Sequence, residues 1–433
     1  MKNVGVVGYD AFNRELLSEL RDPHGFAFHG LLDYEEAVRP ASGRIDFDAL
    51  VALAERRIGD LPAPLDAVIG WWDFPTSAIA PLLKRRHGLP GPALEAVAAC
   101  EHKYWSRLEQ AAVLPDLVPR FQALDPFTDD PWRTIDLPTP FWIKPVKAHS
   151  SYLGFKIDGE ADFARVLPLI RAGIGHFGEP FNTFLQSVDV PAQVAPIDGN
   201  HCIAETIISE GSQCTLEGYV QDGKTTVYGV VDSIREGRHR SSFSRYQYPS
   251  RLPAGVQTRM IEAAALYMRR IGYDSAPFNM EFYWSPVDDR IRLLEVNTRI
   301  SKSHSPLFAM VDGAPHQQIA LDLALGKRPR IPEREGPHRI AAKFMMRVFE
   351  DAVIRRAPDA SDLATLNQQA PDIRVRIMTA PGERLSHMPY QDSYSYEIAE
   401  LFVGASSQEA LLEKYRAAAR LLPFEFAPPE TER

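Results

Sequence analysis

The chain has 433 residues, 45% hydrophobic and 24% charged, the make-up of a soluble globular protein with two or three domains in close contact. Its formal charge of −9 excludes a nucleic-acid partner held by a basic face, because a phosphate backbone needs clustered Lys and Arg, but it leaves room for a local basic pocket. Three cysteines at no metal-ligand spacing (Cys100, Cys202, Cys214) exclude a disulfide framework and point to a reducing cytoplasm, and no apolar run reaches the roughly 18 residues of a membrane span.

The first hundred residues alternate strand and helix. A β-branched run at 4–7 predicts a strand, and Gly8-Tyr9-Asp10 turns it into a helix with Phe12, Leu16 and Leu20 on one face. Strands follow at 26–32 and 67–69. Asp46 is placed to cap a helix striped by Phe47, Leu50, Val51 and Ala54, and a third helix spans 76–87. Such βα units imply a parallel sheet covered by helices. The first turn, Gly5-Val-Val-Gly8-Tyr-Asp-Ala11, has no G-x-G-x-x-G, so this domain (1–98) reads as a scaffold and not a dinucleotide site.

From Glu101 the texture changes. A helix carrying Lys103 precedes a Pro-rich stretch at 115–140, and an apolar strand at 141–143 ends in Lys144-Pro145. From 183 to 231 successive strands are expected, turning at Asp222-Gly223. Residues 256–271 form an amphipathic helix, with Met260, Ala264, Tyr267, Met268 and Ile271 on one face. Two strands at 279–284 and 290–297 flank Pro286-Val-Asp-Asp289, and a helix spans 316–325. The domain from 331 to 433 mixes strands and helices in an α+β pattern, without obvious chemistry.

Chemistry concentrates in Arg292-Leu-Leu-Glu-Val-Asn-Thr-Arg299. Alternate strand residues share a face, so Glu295, Asn297 and Arg299 project together while Leu294 and Val296 point to the core. Glu281 lies on the neighbouring strand, between Met280 and Phe282. A lone Glu on a strand is usually an exposed carboxylate. Two carboxylates, an amide and a guanidinium together suit a hard cation and a phosphate.

This set resembles the metal-binding signature of the ATP-grasp superfamily, a Glu followed by a Glu-x-Asn-x-Arg strand, and Ile300-Ser-Lys-Ser-His-Ser-Pro306 looks like the next loop in its carbamoyl-phosphate-synthase-like branch. The resemblance implies a central ATP-grasp domain (99–330) of two α+β subdomains, with Glu281, Glu295 and Asn297 as ligands of magnesium, or of manganese in its place. Arg299 would hold the transferred phosphoryl or acyl-phosphate, and Lys103 and Lys144 resemble the two cations that meet ATP phosphates. Ala204-Glu-Thr-Ile-Ile208 looks like the hinge strand, where Glu205, Ile207 and Ile208 would read adenine. Gln213 stands where the family usually has a ribose-binding Glu. The phosphate loop, usually Gly-rich, reads Lys147-Ala-His-Ser-Ser-Tyr-Leu-Gly154, with hydroxyls of Ser150 and Ser151 and the His149 ring in place of some backbone contacts.

The remaining residues are open to more than one role. Arg235, Arg238, Arg240 and Arg245 form either a solvated loop or a receiver for a substrate carboxylate. Ser301, Ser303 and His304 follow Arg299 and either orient a substrate or shape the loop. His149, His201, His239 and His316 lack zinc-ligand spacing, and neither a G-x-S-x-G nor a Cys–His pair is present. The expectation is an α/β and α+β, ATP- and magnesium-dependent carboxylate–amine ligase acting on small molecules such as amino acids, cytoplasmic and dimeric as the superfamily often is. Two rivals are ATP-dependent activation of bicarbonate and nucleotide binding without catalysis.

Overall fold

The computed structural model describes residues 1–149, 152–236, 242–388 and 395–428. They gather into two compact units, the first comprising Met1–Tyr228, Pro253–Lys302 and His316–Arg330, the second Gly229–Leu252, Ser303–Pro315 and Ile331–Arg433. One division between these units, at 330/331, coincides with a sequence boundary, whereas none falls at 98.

The first unit opens with a three-stranded parallel sheet in which β1 (Lys2–Tyr9) lies between β2 (Phe26–Asp33) and β3 (Ala67–Gly70). Its helices are α1 (Ala11–Ser18), α2 (Tyr34–Ala37), α3 (Phe47–Gly59) and α4 (Thr76–Arg86). Asp10 caps α1 by accepting the Asn13 amide at 2.8 Å, and Asp46 caps α3 by accepting the Ala49 amide at 3.0 Å. The expected stripe Phe47, Leu50, Val51 and Ala54 is buried, as are Leu16 and Leu20.

Two consecutive helices, α5 (Leu94–Glu101) and α6 (Lys103–Val113), lead to a four-stranded antiparallel sheet. Its strands are β4 (Phe121–Leu124), β5 (Phe141–Pro145), β6 (Phe155–Ile157) and β7 (Cys202–Thr206), in the order β4-β7-β5-β6. Between β6 and β7 come α7 (Glu160–Gly173) and α8 (Gly175–Leu185). Alternation gives this sheet two characters. Phe141, Ile143, Ile157, Cys202 and Ala204 pack against Phe163, Val166 and Ile170 of α7, while Trp142, Lys144 and Glu205 occupy the opposite face. The strands expected from 183 begin only at Cys202. Residues 183–185 close α8, and 191–201 are turns stapled by side chains, as where the Asn182 amide oxygen accepts the Gly199 N–H at 2.6 Å.

From β8 (Ser212–Gln221) the chain continues through β9 (Lys224–Glu236) and β10 (Ser242–Tyr248) to α9 (Ala254–Arg270). It then forms the hairpin β11 (Ala276–Ser285) and β12 (Arg290–Asn297), turning at Asp289 in the left-handed region (φ 52°). In the first unit β12, β11 and β8 pair antiparallel in that order, with Met260, Ala264, Tyr267 and Met268 of α9 buried. α10 (Ser305–Asp312) belongs to the second unit and α11 (Gln317–Ala324) to the first.

In the second unit residues 232–236 of β9 pair with β10, which pairs with β13 (Ile340–Val348). Beyond β14 (Val353–Arg356), α12 (Ala360–Gln369) and β15 (Arg374–Ile377), β16 (Tyr396–Ala405) lies between β13 and β15. α13 (Gln408–Arg420) covers this sheet, its Tyr415 stacked on Phe344 at 3.9 Å between centroids, and β17 (Glu425–Ala427) pairs with β14. Among the described residues no helix is long and apolar enough to cross a membrane.

Candidate active site

The β11–β12 hairpin sets Glu281 directly opposite Glu295 and Asn279 directly opposite Asn297. Between Glu281 and Phe282 the register slips, because Phe282 faces Leu293 and leaves Leu294 unpaired. This bulge corrects one expectation: Leu294 does not enter the core but lines a narrow crevice with Glu295 and Val296. The Asn297 amide group donates to the Asn279 oxygen at 2.9 Å, and Asn279 donates to the Arg299 carbonyl at 3.0 Å, so Asn297 is fixed with its own oxygen turned away from its partner. Glu281 accepts from the Gln213 amide at 2.8 Å, whose oxygen accepts from Tyr283 at 3.0 Å. Gln213 is thus a buried support for Glu281 in this arrangement.

Does this donor set fit magnesium? Two carboxylates facing each other across a strand pair, plus one amide oxygen, make a small, hard, all-oxygen set. Magnesium takes one or two carboxylates from a protein and completes its shell with phosphates and water. Among the described residues no three His, Cys, Asp or Glu come together. The set fits magnesium with room for phosphate ligands.

Cations converge on these carboxylates from α6 and β5. Lys103 is the first residue of α6, and its amide donates to the Val146 carbonyl at 2.9 Å. Its Nζ lies 3.1 Å from Glu295 Oε1 and donates to the Ala148 carbonyl at 2.6 Å. Lys144 meets Glu205 Oε2 at 2.7 Å. Arg107, one turn beyond Lys103, donates through Nε to Glu205 Oε1 at 2.6 Å and to the Leu293 and Leu294 carbonyls at 2.8 and 2.9 Å. Burial alone would push the Glu205 carboxyl up, but Arg107 and Lys144 overcome it and bring it down to about 2. Burial likewise works against Glu295, and Lys103 and Lys144 hold it below the usual range. Ile207 and Ile208 follow β7, half-buried in an irregular stretch.

Arg299 lies just past the end of β12, where its Nε and one terminal nitrogen both reach Oδ1 of Asp73, at 3.0 and 2.5 Å. Asp73 comes from the turn between β3 and α4. Burial opposes its ionisation, yet Arg299, His149 and Lys147 hold it well below the usual carboxylate range. Beside it Lys147 pairs with Glu101, which also accepts from Thr298 at 3.0 Å. Burial, the largest influence, lowers the His149 ring despite the charge of Asp73.

The first unit therefore assembles Glu281, Glu295, Asn297, Arg299, Lys103, Lys144, Glu205 and Gln213. Ser301 is buried there too, its amide near Glu217 (3.4 Å) and its carbonyl accepting from His316 at 3.0 Å, a structural setting. Ser303, His304 and Arg245 belong to the second unit. There the His304 ring lies edge-on to Tyr246 at 4.9 Å, and Arg245 stacks over Phe344 at 5.4 Å with its Nε buried and, among the described residues, without a hydrogen-bond partner. Ser150, Ser151 and Arg240 lie outside the described residues. Arg107, Asp73 and Glu101 had no place in the sequence expectation, and Lys147 stood there only as the first residue of the phosphate loop. Only Arg107 left a signal, four residues after Lys103 and hence on its helix face.

A family model for the ATP-binding domain of the carbamoyl-phosphate synthase L chain matches residues 237–331, the segment that contains the hairpin and Arg299. The carbamoyl phosphate synthase large chain of Clavibacter michiganensis is 39% identical over 61 residues, and that of Myxococcus xanthus 38% over 68 residues. These matches cover 14% and 16% of this chain but only 6% of either relative. The L-amino acid ligase of Bacillus licheniformis shares the fold with a TM-score of 0.71 at 15% identity, over 99% of both chains. The biotin carboxylase of Campylobacter jejuni, in an ATP-analogue complex, does so with a TM-score of 0.65 at 15% identity, over 98% of this chain and 92% of that one. For the carboxyaminoimidazole ribonucleotide synthase of Aspergillus clavatus complexed with ATP, the values are 0.64 and 14%, over 97% and 98%. The chain thus shares the ATP-grasp fold from end to end, and its sequence match is confined to 237–331, the segment that carries the hairpin of the facing carboxylates.

Proposed function

We propose that this chain is an ATP- and magnesium-dependent ligase that activates a substrate carboxylate as an acyl-phosphate and joins it to an amine. The observation that carries this reading is the register of Glu281 against Glu295, with Lys103 on Glu295 and the charge of Lys144 felt there too. Glu281, Glu295 and the Asn297 oxygen would hold magnesium, which when bound supplies positive charge to phosphate oxygens. Lys103 and Lys144 would meet the ATP phosphates, with Ile207 and Ile208 beside the base and hydroxyls of Ser150 and Ser151 serving the phosphate loop. A substrate carboxylate oxygen attacks the γ-phosphorus, and the bond to the β-phosphate oxygen breaks to release ADP. The amine then attacks the acyl carbon, phosphate leaves, and the amine proton passes to phosphate or water. Little covalent help is needed, so the protein acts by positioning and charge neutralisation. Arg299 would hold the phosphoryl group in both steps.

The test is ADP release in a screen of paired amino acids. Glu295→Ala should lower turnover by about 100-fold or more with the fold retained, as expected for loss of charge stabilisation at a reacting phosphate. Near-native turnover in that variant would defeat the metal assignment. A second reading, activation of bicarbonate, is favoured by the local likeness to carbamoyl phosphate synthase and by the carboxylase among the fold relatives. ADP release that depends on bicarbonate and on no other carboxylate would select it. Either reaction suits a cytoplasmic enzyme of small molecules, with a homodimer as the expected assembly.

A further inference from the structure

Asp73 is more than a tether for Arg299. A guanidinium and a carboxylate usually meet through two parallel bonds, one to each oxygen. Here Nε and a terminal nitrogen of Arg299 both converge on Oδ1. No hydrogen bond from a described residue reaches Oδ2, and the side chain keeps 29% of its exposure. The turn that carries it is rigid, since the Thr76 hydroxyl donates to the carbonyls of both Trp72 and Asp73, at 2.8 and 2.9 Å. Its place in the fold is also informative. From β1 the chain goes to β2 on one side and to β3 on the other, and open α/β sheets take ligands beyond the strand ends where that order reverses.

We propose that Asp73 Oδ2 is the acceptor that binds and aims the incoming amine of the ligase reaction. This rests on the ligase reading above. An ionised carboxylate can accept hydrogen bonds but cannot donate, so the group it receives must carry N–H or O–H. In that reaction the donor needed beside the phosphoryl group on Arg299 is the amine. Arg299 also keeps Asp73 far too acidic to strip a proton from an ammonium ion. The residue therefore binds and orients, and the amine proton leaves by another route.

Asp73→Asn tests this with two nucleophiles, using a carboxylate at saturation that turns over in the screen. Hydroxylamine is uncharged near neutral pH and needs no ammonium partner, whereas L-alaninamide is largely protonated and has no carboxylate of its own. The KM for L-alaninamide should rise by at least about tenfold more than the KM for hydroxylamine, the difference expected for one charge-assisted hydrogen bond, whatever loss both nucleophiles share through Arg299. Equal losses with both nucleophiles would reduce Asp73 to a support for Arg299 and overturn the proposal, as would an unchanged KM for L-alaninamide. If the native chain releases no ADP with either nucleophile, the ligase reading itself falls, an outcome distinct from failure of the Asp73 assignment.

Discussion

Glu205 shows how a single residue ties the crevice to stability. It is almost fully buried and held by Arg107 and Lys144. Its folded value of about 2 lies below the ordinary 4.5, so the unfolded chain takes up the proton first. The resulting stabilisation is fully present above about pH 4.5 and is lost as pH falls toward 2. At 1.36 kcal/mol per unit it amounts to about 3 kcal/mol. Glu205→Gln should therefore flatten the acid limb of stability, read as the urea midpoint between pH 5 and 3. Arg107→Met leaves Glu205 with Lys144 alone and two backbone carbonyls unbonded, and should cost about 3 kcal/mol or more at neutral pH. Gly211 is another fixed point: its φ of +85° suits glycine, and a Cβ there would overlap the Trp284 carbonyl oxygen. Gly211→Ala should destabilise by about 2 kcal/mol, measured by thermal unfolding. At this scale Glu281, Glu295 and Asn297 were legible because strand alternation puts like chemistry on one face, whereas Arg299 lies just past the strand. Asp73 was not, since a carboxylate 226 residues from its arginine leaves no local pattern.

At the scale of elements, legibility followed periodicity. The helix expected at 256–271, which spans 254–270, and the strand 290–297 emerged from their apolar spacing, and the cap at Asp46 from its position before a stripe. Removing that cap, as Asp46→Ala, should cost about 1 kcal/mol and shorten α3, visible as a lowered melting temperature. Periodicity failed where the chain breaks its own period. The bulge at Leu294 gives β12 one more residue than its partner, so a leucine expected in the core faces the crevice. The segment 183–201 failed differently: its apolar residues serve a helix end and a set of turns held by Asp198, Asn182 and His201, which alternation cannot describe.

For the whole molecule, the order of residues along the chain conceals its compact units. The sequence suggested a final domain beginning at 331, yet the second unit also draws on Gly229–Leu252 and Ser303–Pro315. β10 relies on β13 as one of its two neighbours. A chain ended after Arg330 should expose β10 as an open edge and aggregate, checked by size-exclusion chromatography against the full chain. The crevice also has a consequence for how fast an anion arrives. Lys103, Arg107 and Lys144 outnumber Glu205 and Glu295 there by one charge, on a chain whose formal total is −9. A nucleotide would thus be repelled at long range and attracted only within the crevice. The screening distance is about 30 Å at 0.01 M salt and about 8 Å at 0.15 M. Dilute buffer should therefore slow nucleotide capture, the reverse of ordinary electrostatic steering, and stopped-flow mixing with a fluorescent nucleotide would record the sign.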